Sequence, residues 1–304
     1  MATDTTAWDN YWQGRAGDGA GALTGVEHDA ELAAFWAGAL GDLDRGAPLL
    51  DLACGAGTVL KQAQALGFTD LTGADYAPAA IDALEKSLPG VRGVTCSAAK
   101  TPFEAGAFAA VVSQFGFEYA GAADAAPEIT RLVAPSGHFI AVTHMAEGAI
   151  HDEVAGHHAH CRAIADSGYI EQSKALFAKV FAGDVSAVEQ AQTVMAAARE
   201  TVFGLTIPGR PSLAAHLTQG AAELWDNRAK YALRDIHGWF DGMEAQRAAF
   251  EARMASMMAA AMDEGEAISV LDIFANAGFK TEAPTALQLG GENAAWVLQA
   301  SRSA

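Results

Sequence analysis

The chain has 304 residues, of which 51% are apolar, and carries a formal net charge of −18. This length suits one large domain, or a domain with a sizeable insertion. Phosphates repel an acidic protein that has no basic patch, so the composition argues against nucleic-acid and anionic-membrane partners and favours a small-molecule or protein substrate.

The cysteines and the start of the chain bear on the cellular compartment. Cys54, Cys96 and Cys161 show no CxxC spacing, and residues 1–6 lack the basic region and apolar run of a signal peptide. No apolar stretch reaches the length of a membrane span. We therefore expect a reduced, cytoplasmic protein that does not contact a membrane.

Residues 1–45 form a predicted N-terminal helical segment. Trp8 and Trp12 are one helical turn apart, and Gly46 and Pro48 end the segment. Such an aromatic pair is typical of an anchor on the core, with a ligand contact as the alternative.

The stretch from Leu49 to Thr58 predicts a strand, a glycine-containing loop and the start of a helix. Gly55 and Gly57 have no Cβ, so the backbone of this loop can approach a ligand closely. The first N–H groups of the following helix favour an anionic ligand group. The alternative is that the small residues of this turn only allow the strand and helix to pack closely, without any ligand.

Strands and helices alternate from residue 46 to residue 144, which predicts a parallel sheet with helices on both faces. In such sheets ligands bind beyond the carboxyl ends of the strands. The residues at or just after these ends are Gly55, Asp75, Ser97, Gln114 and His144.

Residues 145–263 break the alternation and are predicted to form a helical cap inserted after the fifth strand. Stripes such as Leu213, Leu217 and Leu224 indicate core-facing helices, and the methionines of a second stripe could instead line an adaptable pocket. From residue 264 a helix and two closing strands, 279–289 and 294–300, return the chain to the α/β pattern. The α/β domain therefore comprises residues 46–144 and 264–304.

Asp75 follows the predicted second strand, where a carboxylate can accept hydrogen bonds from both hydroxyls of a ribose. A turn or helix-capping aspartate is the alternative. Together with the glycine loop, Asp75 favours a nucleoside-containing cofactor. The loop lacks the third glycine of a dinucleotide motif and the Lys-Ser/Thr of a P-loop.

Five segments in the same order resemble the motifs of class I S-adenosylmethionine-dependent methyltransferases. The segments are Asp51-Leu52-Ala53-Cys54-Gly55-Ala56-Gly57, Gly73-Ala74-Asp75-Tyr76-Ala77-Pro78, Thr101-Pro102-Phe103, residues 108–115 and residues 132–139. The resemblance covers about 46–144 and 264–302. It implies a Rossmann-like, seven-stranded sheet whose last strand is antiparallel.

The resemblance also implies roles for individual residues. The loop at Ala53, Cys54 and Gly55 would contact the methionine part of the cofactor, and Gln114 and Phe115 would face the same end. The complete set of expected cofactor-binding residues is Tyr11, Trp12, Asp51, Ala53, Cys54, Gly55, Asp75, Tyr76, Ser97, Ala98, Gln114 and Phe115. Ser97 stands where family members often carry an Asp for the adenine amino group, and a hydroxyl is a weaker acceptor.

Methyl transfer from a sulfonium needs a general base only where the acceptor must lose a proton. His144 is the first candidate base, with Glu118 and Tyr119 as alternatives. His157 and Cys161 could share a helical face and hold a metal, but no second ligand pair follows at a standard spacing, so we expect no metal site.

The expected function is methyl transfer from S-adenosylmethionine to a small-molecule acceptor, with the helical insertion closing over it. A homodimer through the insertion is a further expectation. Two alternatives remain: a non-enzymatic cofactor-binding or assembly protein, and a nicotinamide-dependent oxidoreductase, against which the missing third glycine counts.

Overall fold

A computed structural model describes residues 12, 28–207 and 211–303. The chain divides into two compact units. The α/β unit contains the residues up to Glu153 and those from Ser256 onward, and the helical unit is Val154–Ala255. Both boundaries fall inside helices, because the chain enters the helical unit along one long helix and leaves it along another.

The α/β unit alternates strands and helices as the sequence predicts. Its strands are β1 (Leu49–Leu52), β2 (Leu71–Asp75), β3 (Arg92–Thr95), β4 (Phe108–Gln114), β5 (Val133–His144), β6 (Phe279–Thr281), β7 (Thr285–Leu289) and β8 (Glu292–Arg302). Its helices before the insertion are α1 (Asp29–Ala39), α2 (Thr58–Ala65), α3 (Pro78–Ser87) and α4 (Ala122–Leu132), with a 3₁₀ turn at Phe117–Ala120.

The strands form one mixed sheet in the order β3-β2-β1-β4-β5-β8-β6, and β7 also pairs with β8. Strands β1 to β5 are parallel, and β8 runs antiparallel to β5, which confirms the expected reversal of the last strand. The expected number of seven strands was wrong, because the segment 279–289 forms two strands separated at residues 282–284. Pro284 in that gap has no N–H to donate to a strand ladder.

Helices cover both faces of the sheet. A Cβ on Gly73 of β2 would lie 2.5 Å from Leu84 of α3 and 2.9 Å from Leu60 of α2, so these helices pack on that face. The next residue, Ala74, points to the opposite face and belongs to a core that includes Phe139 and Phe274. The rings of Phe139 and Phe274 stack with centroids 4.6 Å apart.

Six helices follow β5 and one precedes β6 in the described part of the chain. They are α5 (Ala149–Ser167), α6 (Tyr169–Phe181), α7 (Val185–Val194), α8 (Ala196–Gly204), α9 (Leu213–Asp226), α10 (Leu233–Ala260) and α11 (Glu264–Asn276). The helical unit has its own core, in which Leu217, Ile236 and Phe240 are fully buried, as the core-facing interpretation of the stripes predicts. Among the helices described, none has both the length and the apolarity to cross a membrane.

Candidate functional site

Loops that follow neighbouring parallel strands meet at the carboxyl edge of the sheet. The loop after β1 touches the loop after β4, because a Cβ on Gly116 would lie only 2.7 Å from Cβ of Ala53. Ala53 and Phe115 adopt positive φ values of 58° and 50°, so both loops turn sharply at the strand ends. The structure thus brings the expected cofactor loop and the end of β4 together.

Asp75 joins the end of β2 to the loop after β1. Its Oδ2 accepts a hydrogen bond from the main-chain N–H of Gly55 and its Oδ1 accepts one from Ala77, both at 2.9 Å. A carboxylate has about four lone-pair sites, so Asp75 can still accept a further donor. Burial raises the pKa of Asp75, and main-chain hydrogen bonds from Ala77, Gly55 and Tyr76 partly oppose that rise. The acid is therefore held in place while it remains able to accept hydroxyl groups.

Asp51 is a buried carboxylate at the centre of this edge. It is 1% exposed, and neither of its oxygens has a hydrogen-bond partner within the described structure. Burial and the nearby charge of Asp75 hold the pKa of Asp51 well above its usual range, and burial does the same for the Cys54 thiol. Such a pair of buried acids favours a positively charged ligand over a negative one.

The indole of Trp12 lies against the glycine loop. Gly55 has a φ of +53°, and a Cβ at this position would come 2.6 Å from Cζ2 of Trp12. Only glycine leaves room for this contact. The other expected aromatic residue of this segment, Tyr11, lies outside the described residues, as does Trp8.

The expected adenine-side residues follow β2 and β3, which are adjacent strands. Tyr76 is partly buried and comes directly after Asp75, and Ala98 is buried. Ser97 is exposed, and its hydroxyl oxygen accepts a hydrogen bond of 3.3 Å from the N–H of Ala99. All three therefore lie at the same edge as Asp75.

Gln114 at the end of β4 is fixed by a tryptophan that the sequence analysis missed. The indole Nε1 of buried Trp36, in α1, donates a hydrogen bond of 2.6 Å to Oε1 of Gln114. The Gln114 amide keeps its NH₂ group and one further lone pair on Oε1 for a ligand. The aromatic character of the 29–39 helix was visible in the sequence, but its partner 78 residues away was not.

His144 and Glu118, which the sequence analysis treated as alternatives, form a pair. Oε1 of Glu118 accepts a hydrogen bond of 2.9 Å from Nδ1 of His144 and one of 3.1 Å from its main-chain N–H. Both residues are buried. The imidazole lies between the rings of Phe115 and Tyr119, with centroid distances of 4.7 and 5.6 Å. The third expected catalytic residue, Tyr119, therefore packs on this pair.

Met262, which was assigned to the helical insertion, also belongs to this edge. Its N–H donates to the carbonyl of His144 at 3.0 Å, and its own carbonyl accepts from Ala146 at 2.9 Å and from the Trp296 indole at 2.9 Å. The end of β5 and the segment that follows α10 thus meet beside His144, within the α/β unit.

No metal cluster is found among the residues that the structure covers. No three His, Cys, Asp or Glu side chains there are placed to hold an ion. Cys161 is buried, and the ring of His157 packs 5.8 Å from that of Phe250.

Comparison with known proteins finds a family match over the first five strands. Residues 50–141 match the family model of a methyltransferase domain. No curated protein is a significant match. The matched residues run from β1 through β5 and include Asp51, Asp75 and Gln114.

Several solved structures match part of this chain. Geranyl diphosphate C-methyltransferase from Streptomyces coelicolor A3(2) is 24% identical over 38% of this chain and 46% of its own, with a TM-score of 0.36. A TehB-like SAM-dependent methyltransferase from Corynebacterium glutamicum is 23% identical over 46% of this chain and 72% of its own, with a TM-score of 0.35. This chain spans just under half the length of the first of these proteins.

Proposed function

We propose that this chain, whose residues 50–141 form a class I S-adenosylmethionine-dependent methyltransferase domain, transfers the methyl group of that cofactor to a small-molecule acceptor. The observation that carries the proposal is the bond between Gly55 and Asp75. It places a glycine loop and a carboxylate with spare lone pairs at the carboxyl edge of parallel strands, where such sheets bind nucleosides.

The residues present fit S-adenosylmethionine. The buried, unpartnered carboxylate of Asp51 and the neighbouring Asp75 suit a ligand that carries a positive charge. We assign Asp75 to the ribose.

The other expected residues would contact the two ends of the cofactor. Tyr76, Ser97 and Ala98 would lie beside the adenine. The methionine part would lie against Ala53–Gly55, with Gln114 and Phe115 at the same end. The aromatic side chains of Tyr11 and Trp12 would cover the bound cofactor.

The bound cofactor supplies a methyl group that is already activated by the sulfonium. The protein therefore has to bind the acceptor, align it for in-line displacement and exclude water. His144, buried at the end of β5 next to Phe115, is the residue that we assign to proton removal from the acceptor.

Charge supports a small acceptor without phosphate groups. The chain carries a net charge of −18, and the strand-end segments 51–57, 75–77, 95–98, 114–119 and 144–146 contain no Lys or Arg. The charged side chains that a polyanion would meet in these segments are carboxylates, which repel it.

The helical insertion, residues 145–263, starts and ends beside His144. We propose that it closes over the acceptor and also forms the contact of a homodimer.

Cys54, Cys96 and Cys161 are free thiols. Free thiols suit a reducing compartment, and we propose that the protein works in the cytoplasm.

Incubation of the full chain with a methyl-labelled cofactor and a panel of small alcohols, phenols, amines and thiols tests the proposal. We expect label in at least one small product and none in added RNA or DNA. Binding of NADH in place of S-adenosylhomocysteine, or label only in nucleic acid or protein, would contradict it.

A further inference from the structure

We infer that His144 and Glu118 act together to take a proton from the methyl acceptor, so that the atom attacked is a proton-bearing oxygen or nitrogen. The inference rests on the proposed function and specifies its substrate class. Its starting point is that the two side chains form one buried hydrogen-bonded pair, with His144 at 2% and Glu118 at 4% exposure.

The hydrogen bonds of Glu118 determine which nitrogen of the ring carries the proton. An ionised carboxylate only accepts hydrogen bonds, so with Glu118 ionised the donor is Nδ1 of His144, 2.9 Å away. The same carboxylate oxygen also accepts the main-chain N–H of His144, which fixes the acid relative to the strand. In the neutral ring, Nε2 then carries the lone pair and is the proton acceptor.

Nε2 of His144 has no hydrogen-bond partner elsewhere in the described structure. A buried ring nitrogen in a purely structural pair would be expected to bond to a neighbouring donor, because leaving it unsatisfied is unfavourable. An acceptor hydroxyl or amine supplies the missing donor. The carboxylate of Glu118 would then stabilise the positive charge that the ring gains.

The imidazole is packed against two aromatic rings and lies close to the expected cofactor loop. The rings of Phe115 and Tyr119 pack against it, and its main-chain carbonyl accepts a hydrogen bond from Met262. Phe115 precedes Gly116, whose backbone touches Ala53 of the loop after β1. Since β5 is next to β4 in the sheet, the ring lies close to the loop that we propose to hold the cofactor, which suits a fixed base.

In the transfer step the acceptor heteroatom forms the new bond to the methyl carbon. The sulfur–methyl bond breaks and its electron pair stays on sulfur, which becomes a neutral thioether. The proton of the acceptor moves to Nε2 of His144 and is later released to water. Glu118 touches neither reactant and is a positioning residue.

Nitrogen-15 NMR of the full-length protein tests the ring directly, without any acceptor. We expect the neutral His144 ring to carry its proton on Nδ1, with Nε2 unprotonated, and we expect Glu118→Ala to mix the two tautomers. A neutral ring protonated on Nε2 would overturn the inference, because that nitrogen could then not accept a proton.

Kinetics of variants test the role in turnover. His144→Gln is expected to lower kcat by about 10²–10⁴-fold, the usual contribution of a general base, and to remove the rise of kcat with pH. Glu118→Gln keeps an acceptor for Nδ1 but removes the charge, so a smaller loss with the same KM for the cofactor is expected. His138→Gln is the matched control, since His138 is six residues away on the same strand, about 20 Å along β5.

The outcomes separate this inference from the proposed function. Methylation of oxygen or nitrogen that depends on His144 supports both. Methylation of a carbon or sulfur atom, or an unchanged kcat and pH profile in His144→Gln, overturns the inference and leaves methyl transfer intact. If the wild-type protein binds no S-adenosylhomocysteine and transfers no methyl group, the proposed function fails and the inference, which rests on it, fails too.

Discussion

The main-chain N–H of Gly55 donates a hydrogen bond of 2.9 Å to Oδ2 of Asp75. This bond joins two segments that are 20 residues apart, namely the loop after β1 and the end of β2. Because Ala77 occupies the other carboxylate oxygen, the acid has one defined orientation. The loop after β1 and the acid that we propose to bind the ribose are therefore joined before any ligand arrives.

Replacing this acid should weaken cofactor binding. In Asp75→Asn one carboxylate oxygen becomes an NH₂ group, which cannot accept a ribose hydroxyl and faces a main-chain N–H. Since a hydrogen bond to a charged group contributes about 1.5–3 kcal/mol, we expect at least a ~10-fold weaker Kd for S-adenosylhomocysteine. Calorimetry with Asp70→Asn, an exposed aspartate just before β2, as the control checks this. A Kd within twofold of the wild-type value would remove the ribose assignment.

Asp51 should make the cofactor-free protein less stable as the pH rises. Its pKa in the folded state lies well above the value for an unfolded chain, so the folded state binds a proton that the unfolded state releases. The free energy of unfolding therefore falls as the pH rises from about 4 through the folded pKa.

Asp51→Asn removes this ionisation. We expect the variant to be more stable than the wild type at pH 8, by about 1–3 kcal/mol, and the difference to shrink toward pH 4. Urea unfolding at several pH values measures it. A constant difference across that range would show that Asp51 does not titrate with a raised pKa.

Trp36 and Gln114 should be energetically coupled. Their 2.6 Å hydrogen bond lies in a partly buried position, where a typical bond contributes about 0.5–1.5 kcal/mol. A double-mutant cycle of Trp36→Phe and Gln114→Ala should give a coupling energy of this size by thermal or urea unfolding. Strictly additive effects would mean that the bond does not orient Gln114 in solution.

Trp12 should report cofactor binding. Its indole lies on the Gly55 loop, so a ligand that enters there changes the surroundings of the ring. We expect S-adenosylhomocysteine to change the tryptophan fluorescence of the wild type and Trp12→Phe to lose most of that change. Trp225→Phe, in the helical unit, should keep the response. An undiminished response in Trp12→Phe would place the indole away from the ligand.

The sequence carried enough information to predict the sheet and the residues that gather at the carboxyl edge of its parallel strands. Parallel strands are buried on both faces and therefore appear as short apolar runs, and the residues that follow them, such as Asp75 and His144, must lie at one edge. The glycine loop was equally visible, because positive φ values and close approaches require residues such as Gly55.

Contacts between distant segments were not predictable from a single sequence. The sequence identified His144 and Glu118 as separate candidates, and only the fold shows that they share a hydrogen bond. The partner of Gln114 and the place of Met262 beside His144 depend on packing in the same way. The break between β6 and β7 coincided with Pro284, a local signal that the sequence analysis did not use.

The most direct test of the central claim is calorimetric titration of the full-length protein with S-adenosylhomocysteine, alongside NADH. A methyltransferase site at the carboxyl edge of β1 and β2 predicts saturable binding of S-adenosylhomocysteine at one site per chain and no heat from NADH. Saturable NADH binding without any response to S-adenosylhomocysteine would contradict the account.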